Sequence, residues 1–553
     1  MVRLYSLVGI LALALTATAN GQKVAFSSLV PRINCDEVGT QFCLDRAGGL
    51  NYEGEYIGHD EPSVLFYSNT SGSGNNNVWY LVLPTDPPTP PQQSGAGGTP
   101  NFMLHPTFWL GMAMCDDQSA PAPTLNKTCI PNSDANIFDS SNANSASYVG
   151  KHPGSAFMEL QFYPGGGIDT PQLVVPQGLY FAAMNIFSLS FNMNKNRDNN
   201  KDCLQQVGQE PDNFAVITQN GVPLFPANPL GVAFGNSNPD LNNVLVFQAG
   251  DALRTTMHDS PGGFVVQILD LTTGQSGFMI AGPVAGFGQV HWDPNATTCS
   301  IDPYTFHPMY DTSGPHTNVP WAVHTYNVAF SDEIGHFELC NDFNKDPNSK
   351  KYLTCTSPGP QEKSGKLDDD DAPCANPAFF GLPAPFFPNI TACFGDDLDF
   401  DGQSYGFNWP GTSKNPVTDA ALHAQPILFT SPVFNYLIGK GSNYDSISFE
   451  ADVPSFAPGC NISTGSGCVM PPAGAAFYPF FSTTTTNVPH TCFWQFGGGN
   501  LPQTVNKTLG SDAASQFGGL MRSYFPTPSG AQFGYFNFHR DLSSNPCQNL
   551  GLH

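Results

Sequence analysis

Along the chain, short apolar and aromatic runs alternate with clusters of Gly, Pro, Asn, Asp and Ser, and stretches with a helical period are missing. Short β-branched and aromatic runs bounded by turn formers are the pattern of strands in sandwiches and barrels. The pattern predicts strands at Ser63–Tyr67, Val78–Leu83, Thr107–Met114, Ala156–Tyr163, Asn213–Thr218, Asn243–Phe247, Gly263–Asp270, Trp321–Phe330, Ser446–Val453 and Gln532–Phe538. With 50 prolines, few segments can sustain a long amphipathic helix. The expected fold is therefore all-β, an antiparallel β-sandwich of jelly-roll type with long disulfide-braced loops. An α/β sheet with crossover helices is not expected.

A chain of 553 residues has room for two to four domains, at about 100–200 residues each. Pro84 to Pro100 is dense in Pro, Gly and Gln, which favours an extended segment. Residues 341–373 gather lysines, acids and turn formers with hardly any apolar side chains. They divide a β-sandwich with a groove, residues 20–340, from residues 374–553. The second part reads either as another β-rich sandwich domain or as a continuation of the first. No internal repeat of fixed period is visible.

The N-terminus changes the picture of compartment. Arg3, the apolar run Leu4 to Leu15 and the small-x-small stretch Ala17-Thr18-Ala19 form a signal peptide pattern over residues 1–19. The run is shorter than the roughly 18–20 apolar residues of a membrane span. All 14 cysteines lie beyond it, scattered rather than in the short paired spacings of zinc sites, as in a disulfide framework. Local pairing would join Cys35 with Cys43, Cys115 with Cys129, Cys374 with Cys393 and Cys460 with Cys468. Sequons stand at Asn69, Asn126, Asn295, Asn389, Asn461 and Asn506. The expectation is a secreted, extracellular glycoprotein without a membrane span.

Charge narrows the partners. The formal net charge is −25 with only 20 Lys and Arg, and nucleic acid needs a basic surface to neutralise phosphates. Nucleic acid and anionic membranes are therefore poor partners. A neutral-polar surface of Ser, Thr, Asn, Gln and Gly suits a carbohydrate-rich setting, so the expected partner is extracellular polysaccharide or cell wall.

Candidate chemistry falls in four places. On the strand 157–163, Glu159, Gln161 and Tyr163 share one face and Met158, Leu160 and Phe162 the other. An acid for proton transfer, an amide for sugar hydroxyls and a ring for stacking suit a glycan groove. The fragment is similar to the Glu-bearing strand of jelly-roll glucanases. A second strand puts Ser446, Ser448, Glu450 and Asp452 on one face, the acids roughly 6.5–7 Å apart. Either face also reads as an ordinary solvated one.

The third place is the region 291–338, which is dense in titratable and aromatic residues. It holds His291, Trp292, Asp293, His307, Tyr310, His316, Trp321, His324, Tyr326, Asp332, Glu333, His336 and Glu338, and such clusters mark clefts. His324 and Glu333 join Glu159 as candidate catalytic residues. Trp321, Tyr326 and the pair His258-Asp259 join Gln161 and Tyr163 as candidate substrate-binding residues. The fourth place is Asp397-Leu398-Asp399-Phe400-Asp401-Gly402, where Asp397, Asp399 and Asp401 resemble the start of a calcium loop. The twelfth position is Asn408 rather than Glu, so the expected cofactor is a structural calcium ion in a β-loop, not an EF-hand. An Asp-rich turn is the alternative. Phosphate-loop and Rossmann patterns are missing.

The strings His105-Pro106-Thr107-Phe108-Trp109-Leu110-Gly111-Met112-Ala113-Met114-Cys115 and Tyr326-Asn327-Val328-Ala329-Phe330-Ser331-Asp332-Glu333-Ile334-Gly335-His336-Phe337 resemble segments of large secreted proteins of fungi and actinobacteria with no assigned activity. That resemblance implies export and nothing about mechanism. Three functions stay open: a protein that binds or cleaves extracellular polysaccharide as a glycoside hydrolase, lyase or lectin-like module; a non-catalytic wall, matrix or surface protein; and a metal-dependent extracellular oxidoreductase.

Overall fold

The computed structural model describes residues 63–83, 107–118, 128–136, 144, 153–164, 175–176, 179–188, 199–207, 211–234, 241–314, 321–326, 338–344, 354–358, 390–391, 427–452, 482–485, 491–496, 519–526, 532–542, 544–545 and 547–548. In chain order the strands are β1 (Ser63–Tyr67), β2 (Asn76–Val82), β3 (Thr107–Asp116), β4 (Gly154–Pro164), β5 (Leu179–Ser188), β6 (Asp212–Val216), β7 (Val246–Gln248) and β8 (Ala252–His258). Next come β9 (Phe264–Asp270), β10 (Ser276–Ala281), β11 (Gly288–Val290), β12 (Ile301–Pro303), β13 (Trp321–Tyr326), β14 (Glu338–Asn344), β15 (Thr354–Pro358) and β16 (Ile390–Thr391). The last are β17 (Ile427–Phe429), β18 (Val433–Phe434), β19 (Ser442–Asn443), β20 (Ser446–Asp452), β21 (Ser482–Thr485), β22 (Cys492–Phe496), β23 (Gly519–Pro526) and β24 (Gln532–Leu542). Among the described residues the α-helices are short, α1 (Lys201–Val207) and α2 (Pro229–Phe234).

Each segment read as a strand from the sequence overlaps an observed strand, with shifted ends, while β5, β8, β10, β22 and β23 lie outside those segments. Pairing carries β3 to Asp116 and β24 to Leu542, beyond the last apolar side chains of the runs. Asn243–Phe247 overlaps least. Val244 makes an isolated bridge to Thr218, and the strand itself begins at Val246.

Two antiparallel sheets dominate. The ten-stranded sheet runs β23-β24-β20-β1-β13-β3-β4-β5-β6, with β7 also on β5. The nine-stranded sheet runs β10-β9-β8-β2-β17-β22-β21, with β18 on β2 and β19 on β18. Strands from both sides of 341–373 thus share both sheets, since β20 pairs with β1 and β17 with β2. Within and beside 341–373, β14 pairs with β15 and β16 in a small sheet of its own.

Alternation explains the core. Met158, Leu160 and Phe162 of β4 fall in one buried cluster with Trp79, Leu81, Leu253, Met257, Val266 and Ile268 of the nine-stranded sheet. Rings cross between the sheets: Phe66 meets Trp79 edge-on at 5.5 Å and Phe108 meets Phe429 at 5.1 Å. Each such side chain contributes roughly 1.5–3 kcal/mol on burial. A second cluster, with Tyr163, Val175, Phe181, Ala183, Val216 and Val244, lies on the other face of β4–β6. Those strands are therefore buried on both faces.

Disulfides join Cys115 to Cys129, Cys203 to Cys299 and Cys492 to Cys547. The first is a local pair expected from spacing. The other local pairs fall on residues outside those described. Such bonds fit an oxidising compartment. No helix among the described residues is long and apolar enough to cross a membrane.

Candidate functional site: an acid corner beside a buried polar ladder

The β4 face expected to line a groove is a closed hydrogen-bond ladder. Gln161 Nε2 donates to Glu159 Oε2 at 2.8 Å, and Tyr163 Oη donates to Gln161 Oε1. Glu159, Gln161 and Tyr163 are 2%, 3% and 8% exposed, and Tyr163 stacks on Phe181 at 5.1 Å. The expected solvated face is replaced by a covered one because β5 and β6 bring an apolar layer beside it. In this conformation a polymer in solution does not meet the Glu159 carboxylate.

Register nevertheless brings several sequence candidates into one transverse row. Gln161 pairs with Trp109, Trp109 with His324, His324 with Ser63, Ser63 with Glu450, and Glu450 with His539. At about 4.8 Å per strand, the strands of Glu159 and Glu450 are about 19 Å apart. That exceeds the roughly 5–10 Å of a paired acid and base in glycoside hydrolysis. Tyr326 sits at the end of β13, opposite Thr107. Trp321, expected at a binding surface, is instead fully buried; it donates from Nε1 to Ser73 O at 2.9 Å and stacks on Phe264. Glu333 and the calcium-loop residues Asp397, Asp399 and Asp401 lie outside the described residues.

The turn between β8 and β9 does meet the histidine-rich region. Asp259 Oδ1 accepts from His307 Nδ1 at 2.8 Å, with the Asp259 side chain only 3% exposed. The bend itself is held by Ser260, whose Oγ donates to Gly263 O at 2.6 Å. Burial pushes the His258 imidazole below its usual range, and the Asp259 charge offsets part of this.

A cluster that sequence reading reached only through His291 and Trp292 forms where β3 ends. Cys115, tied to Cys129, fixes the strand end, Asp116 closes β3, and Asp117 and Gln118 follow in a bend. Asp116 is fully buried, and its Oδ1 accepts from Gln118 N at 2.8 Å and from Gln289 Nε2. Gln289 belongs to β11, where it stands opposite Asp302 of β12, so the hairpin that anchors on Asp116 also delivers Asp302. The carboxylate of Asp302 accepts from His291 Nδ1 at 2.7 Å, both side chains being about half exposed. The hairpin loop is clipped by Cys203–Cys299, and Trp292 N donates to Gln118 Oε1 at 3.3 Å.

Burial raises the Asp117 pKa above the usual carboxylate value, and the Asp302 charge adds to it, against hydrogen bonds from Gln118 and the backbone. Burial, together with Asp117 and Asp116, also holds the Tyr304 phenol well above its usual range. The corner thus holds a carboxyl biased toward its acid form, beside a solvent-facing carboxylate oriented by an imidazole. A carboxyl raised in this way can serve as a proton donor.

Among the described residues, no three His, Cys, Asp or Glu side chains gather as a metal site. By fold the molecule is an antiparallel, disulfide-linked all-β protein. It matches no family model and no curated protein sequence.

Proposed function

We propose that the protein is exported, acts on extracellular polysaccharide, and cleaves a glycosidic bond at the corner formed by Asp117, Asp302 and His291. In this reading Asp117 gives its proton to the departing glycosidic oxygen. A water attacks the anomeric carbon and loses its proton to Asp302, which His291 holds in place. Trp292, beside this pair, offers a ring to the sugar. One observation carries the reading: burial and a like charge bias Asp117 toward the protonated state next to an ionisable, accessible partner. The disulfides, the signal-like N-terminus and the neutral-polar composition support the setting.

The test is a glycan array with a reducing-end release assay on wild type, Asp117→Asn, Asp302→Asn and Glu159→Gln. Loss of a general acid or base lowers release by about 10²–10⁴-fold, so Asp117→Asn and Asp302→Asn should lose release and keep binding. Glu159→Gln should keep both. A collapse confined to Glu159→Gln moves the chemistry to the ten-stranded sheet. A non-catalytic wall or matrix role is the second reading, favoured by the ladder, whose polar atoms bond to one another. Neither binding nor release across plant, fungal and bacterial polysaccharides would leave that reading in place.

A further inference from the structure

We propose that the outer face of the nine-stranded sheet is a separate binding surface for a uronic acid residue in an otherwise neutral glycan, with Arg254 as its anchor. The inference rests on the reading of the protein as a polysaccharide binder and is independent of the acid corner. On β8, Leu253 and Met257 point into the core, which turns Arg254, Thr256 and His258 to the opposite face. Register sets Tyr80 opposite Arg254 and Gln267 opposite Thr256. Tyr436, in the turn after β18, lies beside Arg254 and Thr256, which counter the rise that burial causes in its phenol pKa.

Two polar atoms on this one face, Arg254 Nε and His258 Nδ1, have no hydrogen-bond partner, while the Tyr436 phenol bonds the Thr256 side chain. Each buried polar atom left unmatched is costly, and more so when charged. These two atoms are covered, but the Arg254, His258 and Tyr436 side chains are partly exposed, so a ligand lying on this face can meet them. The chemistry of that ligand follows from Arg254. The chain has 45 Asp and Glu against 20 Lys and Arg, yet no described carboxylate pairs with Arg254. A guanidinium fork matches a carboxylate in two parallel hydrogen bonds. The tyrosine rings suit the apolar faces of sugars, and the exposed amide of Gln267 suits their hydroxyls.

The net charge of −25 selects against a polyanion. Its repulsion is screened beyond about 8–10 Å at physiological salt, so a lone uronate among neutral sugars fits where a polyuronate does not.

Calorimetry on the full chain at physiological salt, with a glucuronate-substituted oligosaccharide and its carboxyl-reduced counterpart, tests this. Wild type and Asp117→Asn should bind the acidic form at least about tenfold tighter, the span of a charge-assisted hydrogen bond. Arg254→Gln should bind both forms alike. Gln267→Glu, an exposed change that adds a repelling charge without touching the core, should weaken only the acidic form. Equal binding of the two oligosaccharides by wild type, or a preference surviving in both Arg254→Gln and Gln267→Glu, overturns the proposal while leaving polysaccharide binding intact. Binding of neither form overturns both.

Discussion

Asp117 links the proposed chemistry to stability through one sign. Its pKa is raised in the folded chain above the ordinary 3.8 by burial and then by Asp302. Between those two values the folded state holds a proton that the unfolded state has released, so stability falls as pH rises through that window. Asparagine removes the titration. Asp117→Asn should therefore melt higher than wild type at pH 7, by on the order of 1 °C given the partial exposure of the group. The gain should disappear near pH 3, where both side chains are neutral. Thermal melts at the two pH values check this, and a gain that persists at low pH would assign the effect to packing. Little in the sequence marks Asp117 beforehand, because an Asp-Asp pair after a strand reads as an ordinary turn. Its pKa depends on a hairpin whose strand β12 lies far along the chain. His291 and Trp292 were visible as chemistry-bearing residues, but the partner Asp302 was not.

The loops that the disulfides close differ widely in length, and this gives a second test. Cys115 and Cys129 are 14 residues apart, and Cys203 and Cys299 are 96 apart. On chain entropy alone the shorter link is worth about 3 kcal/mol and the longer about 4.7 kcal/mol. Replacing Cys203 and Cys299 by alanine should thus cost roughly 1.5 kcal/mol more than replacing Cys115 and Cys129, read from urea midpoints. A larger loss for the shorter link would mean that strain or unfolded-state structure outweighs loop closure. The short link was legible because its cysteines are sequence neighbours on that scale; the long ones depend on pairings that spacing does not encode. The strands follow the same logic. Alternation within β4 separates Met158, Leu160 and Phe162 from Glu159, Gln161 and Tyr163, and this was readable from the sequence. The cover over the polar side was not, since Phe181, Ala183 and Val216 come from other strands. For the same reason Trp321 looked like a binding aromatic and is core.

Both sheets take strands from beyond residue 426, and this decides how the chain can be divided. β20 covers one side of β1, and β17 covers one side of β2. Phe66 of β1 packs edge-on against Tyr444 at 6.3 Å and Trp494 at 6.4 Å, and Phe108 packs on Phe429. A fragment of residues 20–340 loses Phe429, Phe434, Tyr444, Ile447 and Trp494 from the shared core. At roughly 1.5–3 kcal/mol for each side chain, the loss is on the order of 10 kcal/mol, comparable to the 5–15 kcal/mol stability of a whole domain. It also uncovers β1 and β2 as apolar edges open to pairing with other chains. The fragment should therefore melt without a sharp transition, bind a hydrophobic dye and be digested by protease under conditions that spare the full chain. A soluble 20–340 fragment with a sharp melt and protease resistance would show that the first part of the chain folds without the strands that follow it.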